Sequence, residues 1–219
     1  MSAVAALPRY SAAEEIANSI THGVGVLFGI AALCIMTTFA SLYGDAWHLI
    51  GASVFGTTLV LLYSFSTLYH SIPIPRAKSV FRVLDHAAIF LLIAGTYTPF
   101  TLVSLRGAWG WALFGVIWGA AILGIILKVF SLNRWELLSL GLYTGMGWAV
   151  AFAVKPLMAA VPTGGLVLLL LGGLSYTFGI VFYVWETLPF NHAIWHLFVL
   201  GGSVLHFFAV LFYVIPVFS

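Results

Sequence analysis

Apolar residues run through this chain in seven long stretches, with approximate limits 16–42, 47–71, 81–104, 109–129, 135–154, 164–185 and 190–215. A membrane-crossing helix needs about 20 such residues, and a helical pattern this apolar all round belongs in lipid rather than in water. The breaks carry chemistry of their own. Tyr43-Gly44-Asp45 parts the first two stretches, and Ile72-Pro73-Ile74-Pro75-Arg76 parts the second and third; proline lacks the N–H that a helix interior requires. Arg106-Gly107, Ser131-Leu132-Asn133-Arg134, Lys155-Pro156 with Pro162-Thr163-Gly164-Gly165, and Glu186-Thr187-Leu188-Pro189 separate the rest. Trp47, Trp109, Trp135 and Trp185 fall near these ends, where aromatic belts form at membrane interfaces. The pattern predicts an all-α polytopic membrane protein, a bundle of seven transmembrane helices. Residues 1–15 form a short N-terminal segment and 16–219 a single transmembrane domain, without internal repeats or low-complexity tracts.

Composition agrees. Hydrophobic residues make up 63% of the 219 positions and charged residues 6%, with mean hydropathy +1.13. A soluble surface needs roughly a quarter charged residues. The net charge of +2 and the lack of a basic stretch exclude a nucleic-acid partner. A single cysteine, Cys34, excludes a disulfide framework or a cysteine-rich metal site, and it reads as a small apolar packing residue. The first stretch is too long for a signal h-region and is preceded by Glu14-Glu15 rather than a basic n-region, so it is expected to be a retained helix. With the N-terminus in the cytoplasm, inner segments carry Arg9, Arg76, Lys78, Arg82, Lys128 and Arg134, against Arg106 and Lys155 outside. The bias favours that orientation, in a bacterial cytoplasmic (inner) membrane.

Ionisable side chains near hydrocarbon are costly and mark function. His22, His70, Asp85, His192 and His196 come from four helices and share the inner depth band. His192 and His196 are four apart, on one helix face and about 6 Å apart along the axis. Ser66 lies one turn deeper than His70 on the same face. Three imidazoles and a carboxylate suit a zinc site with one position open to water.

The chain resembles the hemolysin III branch of the progestin and adiponectin-receptor (PAQR) membrane proteins, which belong to a broader group with alkaline ceramidases. The resemblance spans about Glu14 to Tyr213. It rests on Glu15-x2-Asn18-x3-His22, Ser66-Thr-Leu-Tyr-His70, Leu84-Asp85-His86, Ala94-Gly-Thr-Tyr-Thr-Pro99-Phe and Asn191-His192-Ala-Ile-Trp-His196. It implies seven helices and a Zn2+ held near the cytoplasmic face by His70, His192 and His196, with Asp85 acting through a water on the zinc and Ser66 beside it. It also implies haemolysis, lipid-amide hydrolysis or regulation of membrane fluidity. A zinc-dependent hydrolase of a membrane lipid amide or ester fits these residues, the lipid entering sideways between helices. The alternatives are a non-catalytic sensor with a structural zinc, a pore-forming cytolysin, for which helices four to six have too few polar residues, and a haem-binding cytochrome.

Plainer roles compete at each position. Asp85 could cap the third helix, and Ser66 could permit close helix packing. Glu15, Asn18 and His22 form one stripe expected to brace the site mouth. His206, about 15 Å beyond His196, is expected to pack or hydrogen-bond. His48 is expected to be solvated, and His86, about 100° from Asp85 around the helix, is not expected to be a ligand. Pro99 should kink the third helix. Gly115-x3-Gly119 and Gly141-x3-Gly145 are expected to serve internal helix packing; an oligomer is compatible with them but not indicated.

Overall fold

The computed structural model describes residues 10–130 and 136–216. The Ser131–Arg134 break and Trp135 lie outside them. Among the described residues all regular structure is helical, and seven helical segments are long and apolar enough to cross a membrane. The helices are α1 (Ala12–Tyr43), α2 (Ala46–Ser71), α3 (Pro75–Pro99), α4 (Ala108–Phe130), α5 (Glu136–Trp148), α6 (Val154–Ala160), α7 (Thr163–Val184) and α8 (Asn191–Tyr213). The fifth span is thus broken: a 3-10 turn, Ala149–Ala153, joins α5 to α6.

Local chemistry sets the starts. Ser11 and Glu14 form a reciprocal capping box that opens α1 earlier than the hydrophobic pattern suggests. Asp45 caps α2, its carboxylate accepting from the Trp47 and His48 backbone N–H groups, with the His48 ring folded back against it. That ring, 2.7 Å from the carboxylate, holds the exposed Asp45 carboxyl down at about 2. His48 is therefore part of a cap rather than simply solvated.

Helix α3 also starts early. Pro75 occupies its first turn, where a missing N–H costs nothing, so Arg76, Lys78 and Arg82 are helical. Asp85 then lies about three turns inside α3, and the capping role considered for it is ruled out. At Pro99 the chain passes from α to π geometry over Phe100–Ser104, with Leu105 N–H bonding to Phe100 O at 2.8 Å.

Packing follows a ring in chain order. Helix α1 packs on α2, α2 on α3, α3 on α4 and α7 on α8, and α8 closes back onto α1. Helix α5 bridges α3, α4 and α7. The third span is 67% buried and the sixth 17%, so α3 is central and α7 peripheral. Close approach occurs at Gly25 against Tyr63, Gly51 against the Pro99 backbone and Gly124 against Phe90. At Gly115, Gly119, Gly141 and Gly145 nothing lies within 4 Å of where a Cβ would sit. The expectation of internal packing there is overturned, because those faces point outward. Cys34 is also on the outer face rather than packed.

Candidate metal centre

Helix polarity brings the sequence-predicted residues to one end of the ring. Helices α1, α3 and α8 start there and α2 ends there, which places His70 one residue from the α2 terminus and His192 and His196 in the first turns of α8. The local turn is unusual. Phe190, just before α8, has φ 58°, a left-handed conformation seldom taken by a bulky residue. Its N–H donates to Glu14 Oε1 at 3.2 Å, and Asn191 Nδ2 donates to Phe182 O at the end of α7. These contacts aim the first turn of α8 at α1 and α2.

The result is a buried triad. One ring nitrogen from each of His70, His192 and His196 lies within 4.8 Å of the others. Ring centroids are 5.1 Å apart for His70–His192, 5.3 Å for His70–His196 and 4.5 Å for His192–His196. The outward nitrogens are held. His70 Nδ1 lies 2.7 Å from Glu15 Oε2, and a carboxylate can only accept, so Nδ1 carries the proton. His196 Nδ1 lies 3.2 Å from the Asn18 carbonyl and by the same logic donates. Both rings then turn a lone pair on Nε2 inward. His70 Nε2 and His192 Nε2 are buried with no hydrogen-bond partner, the arrangement expected of nitrogens built to hold an ion. Lys78, 2.9 Å from Glu15 Oε1, holds the carboxylate in turn.

Asp85 and Ser66 are buried beside the triad without joining it. Ser66 is next to the Asp85 carboxyl, and its hydroxyl is fully buried without a hydrogen-bond partner of good geometry. His86 bonds to Arg82 O through Nδ1 at 2.8 Å and stands apart from the three grouped rings.

Residues 10–207 match the protein family described as haemolysin-III related. The chain belongs to that family. It is 53% identical to Hemolysin-3 of Bacillus cereus over 93% of each chain, and 50% identical to the Hemolysin-3 homolog of Bacillus subtilis over 93% of this chain and 96% of that one. It is 29% identical to the Monocyte to macrophage differentiation factor of Homo sapiens, over 90% of this chain and 83% of that one. It is a multi-pass membrane protein of haemolysin-III type, and its buried histidine triad could bind a metal ion.

In this haemolysin-III-related chain several site residues escape sequence reasoning. Tyr10 stands over the triad, its ring 5.7 Å from His70 and 5.3 Å from His192. Burial, with the charges of Asp85 and Glu15 adding to it, pushes the Tyr10 phenol well above its usual range, so it stays neutral. Nothing in the residues before α1 signals this, because the contact depends on how the chain enters the helix. Glu15 and Asn18 were legible as a stripe but not as direct partners of the triad's rings. His22 stacks on His196 at 3.4 Å between centroids, with both ring nitrogens unpartnered. A cavity of about 150 Å³ leads from Asp85, His192 and His196 along the inside of α8 as far as His206, flanked by α5 and α7. His206 hydrogen-bonds Leu169 O at 3.1 Å, in line with its expected role.

Proposed function

We propose that this protein is a zinc-dependent hydrolase acting on a lipid amide or ester within the membrane. One observation carries the reading. Among the described residues, three buried imidazoles converge and no fourth histidine, cysteine or carboxylate completes their set. A structural zinc site is closed by four protein ligands, whereas a catalytic one uses three and keeps a position open. The donor set fits the ion, since His70 and His196 are fixed through Nδ1 and the buried Nε2 atoms of His70 and His192 lack other partners. Bound there, zinc supplies an activated water near neutral pH and polarises a carbonyl oxygen.

The remaining chemistry belongs to the chain. Asp85, close to the triad but outside it, takes and returns the proton of the attacking water. The Ser66 hydroxyl donates to the oxygen on which charge develops. The cavity, whose surface is mainly apolar, receives the acyl part of a substrate that arrives through the bilayer. The six-to-two distribution of cationic residues supports placing the triad end at the cytoplasmic face.

Metal and activity are tested together. Wild-type protein should carry about one zinc per chain, and His192→Ala/His196→Ala near none, as expected when two of three ligands are lost. Asp85→Asn should keep its zinc while hydrolysis of a fluorogenic lipid amide or ester falls about 10²–10⁴-fold. Zinc retained by the double variant would remove the proposed site. Zinc-loaded wild type that cleaves nothing across a broad lipid panel would remove the enzyme.

A further inference from the structure

The cavity has a deep end, and the residues that form it are unequal. Helices α3, α5, α7 and α8 supply most of the lining. On each, the lining residue farthest from the triad end is, in turn, Tyr97, Trp148, Gly173 and His206. Three are rings and one is a glycine. The rings are held in place. The Tyr97 hydroxyl shares its hydrogen between the carbonyls of Met146 and Gly147, at 2.8 and 2.9 Å, and accepts from the Val150 N–H at 3.0 Å. Trp148 Nε1 donates to Thr177 Oγ1 at 3.1 Å, and His206 Nε2 donates to Leu169 O at 3.1 Å. These bonds tie α3 to the fifth span and both α5 and α8 to α7, so the deep end is a fixed wall.

Gly173 differs from other glycines of α7. Gly165 meets Tyr213, Gly172 meets His206, and Gly179 meets Trp195 and Phe198, each closer than a Cβ tolerates. Small residues at those positions let α8 approach. At Gly173 nothing lies within 4 Å of where a Cβ would sit, so packing does not require a glycine there. Thr177 and Ile180, one and two turns along the same face, line the cavity as Gly173 does. The open space before Gly173 therefore belongs to the cavity. Glycine weakens a helix interior relative to alanine; what it leaves here is room.

We infer that Gly173 determines how long a lipid tail the cavity accepts, by keeping the deep end open at the one position without a ring. The inference rests on the reading of the cavity as a lipid site. Gly172 lies against His206, which puts its neighbour Gly173 at the same depth. Ten residues of α8 separate His196 from His206, about 15 Å along the helix axis. An extended chain covers about 1.2 Å per bond, so a tail with its head at the triad reaches Gly173 after about twelve bonds. Shorter tails end before it.

Binding of saturated fatty acids tests this without a catalytic readout. Octanoic, decanoic, dodecanoic, myristic and palmitic acid are titrated against purified protein in nanodiscs, wild type beside Gly173→Leu and Gly173→Ala. Each acid is read as the ratio of variant to wild-type Kd, in which its own partition into the bilayer cancels. In Gly173→Leu, myristic and palmitic acid should bind about tenfold more weakly, the scale of overpacking a filled site, with octanoic acid within about twofold of wild type. Gly173→Ala adds one methyl group to uncrowded space and should show the same dependence on length at about threefold. A ratio that does not change with chain length in either variant overturns the role of Gly173 and leaves the lipid cavity standing. Wild type that binds none of the acids overturns both. Gly173→Ala carries the test if Gly173→Leu does not fold.

Discussion

At the scale of single residues, the histidine triad was legible because spacing puts His192 and His196 on one helix face, helix ends define depth, and the resemblance to the hemolysin III branch singles out His70 with them. What supports the triad was not legible. Glu15 belongs to a stripe visible in the sequence, but only the packing of α1 against α2 shows its carboxylate on His70 Nδ1. Tyr10 had no signal at all. The Glu15 contact carries a measurable consequence. Outer-shell partners of metal-binding histidines contribute about 10–100-fold in affinity, so Glu15→Ala should weaken metal binding by that order in a chelator competition. Glu15→Gln keeps an acceptor without the charge and should fall between. Unchanged affinity in both variants would mean that the carboxylate does not orient the ring.

At the scale of elements, all seven spans follow from hydropathy, but faces and starts do not. Glycine spacing marks where helices can approach each other, yet it cannot say which side of a helix meets a neighbour. Gly115 and Gly119 have the right interval and the wrong face, while Gly51, in no such pattern, touches the α3 backbone at Pro99. Helix α3 was read late because Pro75, Arg76 and Lys78 resemble a loop; proline in the first turn and charged side chains at a membrane interface are both compatible with a helix. Gly51→Ala should destabilise the protein by about 1–3 kcal/mol, since a methyl group there meets backbone rather than a movable side chain. Gly115→Ala should stay within about 0.5 kcal/mol of wild type. Reversible unfolding in mixed micelles distinguishes them, and equal effects would show that the outward face of α4 is packed after all.

At the scale of the whole molecule, the ring of helices gathers the histidine triad at the end where α1 begins. Which side of the membrane that end faces is carried by charge, and the proposed cytoplasmic placement is open to a direct check. Alkaline phosphatase fused after Gly107 should be active, and fused after Pro73 inactive, because the enzyme matures only outside the cytoplasm. The reverse pattern would turn the protein over.

Closure of α8 against α1 has a temporal side. A ribosome releasing this chain has finished six spans before His192 and His196 emerge, and until then His70 stands with Glu15 but without its two partner rings. The three rings therefore come together only once α8, the seventh described span, has entered the bilayer. Loss of α8, by truncation or failed insertion, would remove two of the three rings and the site would never be born.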